Sequence, residues 1–326
     1  GKTMLAHLAV TFYTLVGATQ HPSRSPRHKP SLATEQTIAS RYLSDEKAAL
    51  ALHACTSTFC FYLSRFVCLF LNESNKFKTP GLTCVIFSKD RALQLYTLLE
   101  TMKLRTDFKG KVIIFYNVSS PKHNISYKEL ISESKIFSLD INWIKEKKSL
   151  GFKKELLEIL DTIKTKRIFF LTDDNIFIND FDLNSFKKID FGNHIFSLRH
   201  SKNISYSYMY NKNIKPPNFK TYNDNFCKFK WFESPYEWSD PWSLDGQIYS
   251  SNEIKVLSSI SSYDRPNSYE HALKSFNFIQ KDRFSICCSR SIILNLPLNL
   301  VQTEWKNRSG NINIETYLQQ WKKNKK

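Results

Sequence analysis

Arg167-Ile168-Phe169-Phe170-Leu171 leads directly into Thr172-Asp173-Asp174-Asn175. A short apolar run that ends abruptly in polar residues reads as a strand leaving a sheet. The alternation that this strand closes is visible upstream. Phe152–Ile163 is amphipathic, with Leu156, Leu157, Ile159, Leu160 and Ile163 at helical spacing, and Leu139–Ile144 before it is strand-like. Tyr127–Ile136 suits a helix and Lys111–Tyr116 a strand. Asp90–Leu104 places Leu95, Leu98, Leu99 and Met102 on one helical face, after a β-rich run at Leu82–Phe87. Strands alternating with helices of about 10–15 residues form right-handed βαβ units, so the expected fold class is α/β with a mostly parallel central sheet flanked by helices. Such sheets bind ligands beyond the carboxyl ends of their strands. The chemistry is therefore expected after Phe87 and after Leu171.

Both places are strongly polar: Ser88-Lys89-Asp90-Arg91 follows the first strand and Asp173-Asp174-Asn175 the fourth. Adjacent carboxylates repel one another unless a cation lies between them, and hard cations such as Mg²⁺ or Mn²⁺ prefer oxygen ligands. A metal bridging these acids to a diphosphate is one solution, and an Asp pair capping the next turn is the other. For Ser88, Asp90 and Arg91 the alternatives are contacts to a base, ribose or phosphate, with Arg91 using its forked donors, or a polar turn with helix capping.

The chain has 326 residues, with 47 Lys+Arg against 30 Asp+Glu, a net charge of +17. The excess points either to an anionic partner, whether nucleic acid, phosphorylated ligand or acidic membrane face, or to nothing more than the Lys codon bias of an AT-rich genome. The basic residues are spread throughout, so the clustered basic and aromatic face of a nucleic-acid binder is not expected. With 25 Phe and 15 Tyr the composition excludes disorder for most of the chain. The seven Cys fall in no zinc-type spacing and read as reduced thiols. Residues 1–71 hold nine Ala and no Asn, whereas residues 72–326 hold two Ala and 24 Asn. That break separates a leader, residues 1–75, from a domain over 76–326. The leader carries an apolar stretch from Ala48 to Leu71, long enough to span a bilayer at about 20 residues but diluted by His53 and Arg65. It reads as a loop followed by an apolar helix.

The first strand, the Ser88–Arg91 loop, its helix and Phe169–Asn175 resemble nucleotide-sugar glycosyltransferases of the GT-A fold, whose metal signature is D-x-D or a near variant. Trp242–Tyr249, Arg265–Glu270, Asn299–Gln302 and Asn307–Gly310 are similar, in the same order, to a bacterial glycosyltransferase-like family. The resemblance covers about residues 80–322. It implies a GT-A-like, Rossmann-like domain that moves a sugar from a nucleoside diphosphate to a glycan or lipid-linked surface acceptor. A strict D-x-D would place Asp at 175, where this chain has Asn, whose carbonyl is a weaker, neutral ligand.

The implied roles are specific. Asp173, Asp174 and Asn175 hold Mn²⁺ or Mg²⁺; Ser88, Asp90, Arg91, Asp173 and Arg308 bind the donor. Inverting transfer needs a carboxylate to take the acceptor's proton while a cation stabilises the departing diphosphate. Glu270 is the expected base, with Asp245 and Asp264 as rivals. Asp245 also borders the acceptor with Trp238 and Trp242, whose rings suit either sugar stacking or a core. Gly246 after Asp245 marks an ordinary turn or a positive φ. The expected location is the cytoplasm, with membrane association as an addition; the tail Lys322-Lys323-Asn324-Lys325-Lys326 reads as solvated, with a contact to anionic lipid as the alternative. A transferase-like domain that only binds is the main alternative function, and a basic nucleic-acid-binding protein the other.

Overall fold

The computed structural model describes residues 79–323 apart from 148, 184, 186–188 and 301–307. The chain divides into two units, Gly1–Val67 and Cys68–Lys326, and every described residue belongs to the second. The leader expected over residues 1–75 lies outside the described residues, as do Val301, Gln302 and Asn307.

Six elements build the first half of the sheet in the order the sequence predicts: strand β1 (Thr79–Lys89), helix α1 (Ala92–Arg105), β2 (Lys111–Asn117), α2 (Pro121–Glu133), β3 (Asp140–Lys145) and α3 (Phe152–Thr162). Strand β4 (Thr165–Thr172) then enters beside β1. β3, β2, β1 and β4 are adjacent and parallel. The centres of β1, β2 and β4 are fully buried, with Cys84, Val85 and Ile86 in β1 and Ile168–Leu171 in β4, while edge strand β3 is half-buried. The Leu95, Leu98, Leu99 and Met102 stripe of α1 is buried against them, as its spacing requires. One boundary differs from expectation. The second helix starts at Pro121 rather than Tyr127, because Pro121 occupies the first turn and the Ser120 hydroxyl accepts from the His123 N–H; a 3₁₀ turn at Ser134–Phe137 ends it.

Short strands complete the molecule: β5 (Asn175–Phe177), β6 (His194–Ser201), β7 (Tyr206–Ser207), β8 (Lys212–Asn213), β9 (Lys220–Thr221), β10 (Phe226–Phe229) and β11 (Gln247–Ser250). Helices α4 (Ser251–Ile260), α5 (Pro266–Lys274) and α6 (Asn277–Gln280) follow, then β12 (Phe284–Cys288), β13 (Ile293–Asn295) and α7 (Ile314–Lys323). The main sheet runs β3-β2-β1-β4-β11-β6-β12-β10-β9. Only β11 and β10 run against the common direction, each antiparallel to both neighbours. The fold is thus mixed α/β, with a large, mostly parallel central sheet flanked by helices.

Two features of this sheet aim the site. The β1–β4 register sets Phe87 opposite Thr172, and the Asp173 N–H donates to the Phe87 carbonyl at 3.1 Å, so Ser88–Arg91 and Asp173–Asn175 leave the sheet side by side. Gly246 then threads β11 between β4 and β6: its N–H donates to Phe170 at 2.8 Å and its carbonyl accepts from Leu198 at 2.9 Å. Its φ is +77°, and a Cβ there would meet Ile293 Cδ1 at 2.3 Å. Only glycine satisfies both conditions, and Asp245 is held in front of the β4 end as a result.

Candidate active site

A cavity of about 1350 Å³ opens where β1 and β4 end, and Asp173, Asp174, Asp245 and Glu270 line it. Its floor is organised by Arg91. The guanidinium Nη1 donates to Asp173 Oδ1 at 2.9 Å and Asp174 Oδ2 at 3.1 Å, and Nη2 donates to the Asn299 carbonyl. A buried chain of hydrogen bonds fixes Asp173 from the other side. The Arg91 N–H donates to the Tyr127 hydroxyl at 3.2 Å, Tyr127 to Ser88 Oγ at 2.5 Å, and Ser88 to Asp173 Oδ2 at 2.8 Å. The Lys89 N–H adds a bond to the same oxygen at 3.0 Å. Burial keeps Tyr127 protonated far beyond the ordinary phenol range, so it serves as a donor throughout.

Asp174 and Asp245 form the second layer. Thr172 Oγ1 lies 2.7 Å from Asp174 Oδ1 and 2.8 Å from Asp245 Oδ1, and Asn295 Nδ2 donates to the same two oxygens at 3.1 and 3.2 Å. Arg199 reaches Asp245 Oδ2 at 3.3 Å. Thr172 thus shares its one hydroxyl proton between the two carboxylates. Burial raises the Asp174 carboxyl to about 6, opposed by Arg91 and reinforced by Asp173 and Asp245, while the Thr172 bond favours the ionised form.

Glu270 stands across the cavity on α5, beside Lys274 Nζ at 3.9 Å; Lys274 also pairs with Asp240 at 2.7 Å. Burial pushes Glu270 up to about 7, with Lys274 opposing and Asp240 and Asp245 adding to the rise. A carboxylate with that affinity for protons is matched to general-base work near neutrality. Its rival Asp264 is held down to about 2 by the Arg265 hydrogen bond and by Ser268, which caps α5. Such an acid is a poor proton acceptor.

The structure therefore brings together Ser88, Arg91, Asp173, Asp174, Asp245 and Glu270. It sets others apart. Asp90 is buried with φ 59° and its carboxylate accepts from the Ser119 N–H at 2.7 Å, so it braces the loop. Asn175 is fully buried and turned inward; its carbonyl accepts from the Thr172 N–H at 3.0 Å and its amide donates to Asp245 at 3.1 Å. Trp242 is fully buried and stacks on Tyr249, a core role rather than an open face for sugar. Trp238 is also buried, though its edge lines the cavity. Arg308 lines the cavity wall but bonds to Tyr206 and Asn211. The sequence reading did not single out Arg199, Asn295 or Tyr127. Asn295 reaches the site because β13 pairs with β5 in a register that sets it opposite Asn175.

Among the described residues no group of three or more His, Cys, Asp or Glu is arranged to hold a metal. Asp173 and Asn175 spend their oxygens inside the protein. Asp174 and Asp245 also line the cavity as hard oxygen donors, although their oxygens already accept from Thr172, Asn175, Asn295, Arg91 and Arg199. That donor set fits a divalent cation that completes its shell from a ligand's phosphate oxygens.

Fold and site together define an α/β protein with an acid-lined cavity at the carboxyl ends of a mostly parallel sheet, the place where open α/β sheets take their ligands. No family model matches the chain. It is similar to the bifunctional glycosyltransferase pgtA of Dictyostelium discoideum, at 30% identity over 233 residues, covering 60% of this chain and 28% of the relative. The chain thus spans little more than a quarter of that protein's length. Among solved structures it is similar to S. aureus TarS, at 11% identity and a TM-score of 0.44 over 67% of this chain and 37% of TarS. TarS in complex with UDP-GlcNAc gives 12% identity and a TM-score of 0.43 over 65% and 57%. No helix among the described residues is long and apolar enough to cross a membrane.

Proposed function

We propose that this domain is a nucleotide-sugar glycosyltransferase of the GT-A type acting on a glycan hydroxyl. The observation that carries the reading is the pairing, across one cavity, of an arginine-clamped acid cluster at the ends of β1 and β4 with a carboxylate, Glu270, whose proton affinity suits a base. The similarity to a glycosyltransferase over 60% of the chain supports it. In the proposed step the acceptor hydroxyl oxygen attacks the anomeric carbon and its proton passes to Glu270. The bond from that carbon to the diphosphate oxygen breaks and its electron pair leaves with the nucleoside diphosphate, so the configuration inverts.

Ser88 and Arg91 would bind the donor beside Asp173, and Asn117 and Glu146, joined at 2.6 Å on the cavity rim, would meet its nucleoside. A divalent cation, Mn²⁺ or Mg²⁺, would be held by Asp174 and Asp245 and would neutralise the leaving diphosphate. Arg91 already supplies positive charge between Asp173 and Asp174, which favours a second reading, a domain that binds a nucleotide sugar without turning it over. Calorimetry with UDP and GDP, with and without Mn²⁺, followed by nucleoside diphosphate release from the sugar-loaded forms, tests both. Binding with release upholds the enzyme, binding without release upholds the binding domain, and no binding removes both.

A further inference from the structure

One wall of the cavity is built differently from the rest. Residues 206–213 fold into a β7–β8 hairpin whose Tyr206, Tyr208, Met209 and Tyr210 side chains are between 37% and 58% exposed and line the cavity. Exposed rings are ordinarily free to rotate, but Tyr206 is held by polar bonds and Tyr208 and Tyr210 by contacts to their ring faces. The Tyr206 hydroxyl donates to Asn211 Oδ1 at 2.6 Å, and Arg308 Nη1 donates to Tyr206 at 2.8 Å, to Asn211 at 2.6 Å and to the Tyr208 carbonyl at 3.2 Å. The Arg308 guanidinium also covers one Tyr208 face at 4.5 Å, and Tyr210 packs on Tyr236 with ring centroids 5.0 Å apart. Ser207 Oγ donates to Glu237, tying the hairpin to the 236–239 turn that carries Trp238.

The second observation lies in that turn and the end of β6. His200 is buried in the cavity wall with its ring 4.9 Å from Trp238, and neither of its nitrogens has a hydrogen-bond partner; the Glu237 backbone approaches without meeting hydrogen-bond geometry. Trp238 Nε1 and Glu237 Oε2 are likewise buried and unpartnered. Buried polar atoms of this kind are nearly always satisfied, so three together beside one cavity point to a ligand that supplies the partners. They comprise an indole donor, a carboxylate acceptor and an imidazole that burial keeps neutral, lowered to about 3. None of the three is a cation; of the arginines nearby, Arg199 is paired with Asp245 and Arg308 spends Nη1 on three acceptors. This set matches hydroxyls better than phosphates.

We infer that the 206–213 hairpin, together with His200, Glu237 and Trp238, is a binding platform for the uncharged sugar rings of an acceptor glycan. The inference rests on reading the cavity as a glycosyl-transfer site and identifies the substrate class of its second half. Rings held rigid in advance stack on a ligand without losing freedom at that moment, and tyrosine offers an apolar face with a polar tip.

The test uses the full chain on an array of neutral oligosaccharides built from glucose, galactose, mannose, fucose and N-acetylglucosamine, with calorimetry of UDP and GDP alongside. The parent is expected to bind at least one neutral glycan. Tyr208→Ala with Tyr210→Ala is expected to weaken that binding tenfold or more while nucleotide affinity stays within twofold. Phe232→Ala, an exposed ring outside the cavity lining, is expected to change neither. If the double variant melts early, Tyr208→Ala alone makes the same comparison. A parent that binds no neutral glycan, or only anionic ones, overturns the inference, as does a folded double variant with parental glycan affinity. Hairpin-dependent glycan binding without nucleotide binding upholds the platform and removes the transfer reading instead.

Discussion

The two walls of the cavity solve the problem of holding charge and polarity in opposite ways. On the β1–β4 side the polar groups follow the ends of two long strands with buried centres and are fixed by a shared register, with Ser88, Arg91, Asp173 and Asp174 bound to one another. On the β6–β13 side the strands are two to eight residues long, and the functional groups come from a hairpin, a 3₁₀ turn, a loop glycine and the second turn of α5. The first wall is organised by a guanidinium, which is charged at any accessible pH, although its Nε is left without a partner. The second carries Glu270, the candidate base, which changes charge near neutrality, and unpartnered polar atoms on His200, Glu237 and Trp238. A preorganised wall suits a constant phosphorylated ligand, and an irregular wall suits a variable one whose proton must move.

The sharpest way to break this division is to remove the mobile proton. Glu270→Gln keeps size and polarity but cannot accept a proton, so kcat is expected to fall by about 10²–10⁴ with nucleotide affinity unchanged. In the parent the base must be ionised, so kcat/KM should rise with pH through about 7, and the variant should lose that rise. Parental kcat in Glu270→Gln with loss in Asp245→Asn would transfer the role to Asp245.

The fixed wall is expected to fail by unfolding instead. Arg91→Met leaves Asp173 and Asp174 side by side and buried without their shared cation. Breaking a buried pair by removing one partner costs about 3–5 kcal/mol. A denaturant midpoint close to the parent's would show that the clamp is dispensable and that the acids find other compensation.

How much of each wall the sequence revealed follows from the same contrast. The Cys84–Phe87 and Ile168–Leu171 runs announce strands because burial on both faces demands unbroken apolar residues, and the acids stand where those runs stop. Helical spacing in 92–105 and 152–162 is equally plain. The other wall has little period to read, since most of its strands run two to five residues and leave too few positions for alternation. Asp245-Gly246 was recognisable as a turn, and the structure gives its physical reason in the Ile293 contact. Trp238 and Trp242 looked as suited to stacking as to packing, because a ring's exposure is decided by tertiary neighbours; the structure buries both and exposes Tyr206, Tyr208 and Tyr210 in their place. Arg199 and Asn295 were unreadable because β-pairing between distant segments brings them in.

A smaller effect separates binding from stability within the fixed wall. Asp174 has a raised folded-state affinity for protons, so its contribution to stability is full at low pH and is lost as pH rises through about 6. Asp174→Asn should remove that loss, flattening the fall in melting temperature between about pH 4 and 6 without lowering it. The same change should weaken nucleotide binding in Mn²⁺ by about tenfold, as loss of a hard oxygen ligand implies. Equal affinity in variant and parent would eliminate Asp174 as a cation site.

The mildest test asks whether Glu270 owes its proton affinity to its neighbours as well as to burial. Lys274 stands 3.9 Å from it and is the chief influence lowering its affinity for protons; Asp240 and Asp245 work in the other direction. Lys274→Met removes the lowering influence and retains the stem that packs along α5. Glu270 should then ionise at higher pH, moving the rise in kcat/KM upward. At pH 7 the variant should be several-fold slower than the parent, and at about pH 8.5 it should recover most of the difference, because the base itself is intact. A purely structural role for Lys274 predicts a loss that does not depend on pH. A profile that stays at the parental position would mean that Lys274 exerts no net influence on Glu270, and that burial dominates the base.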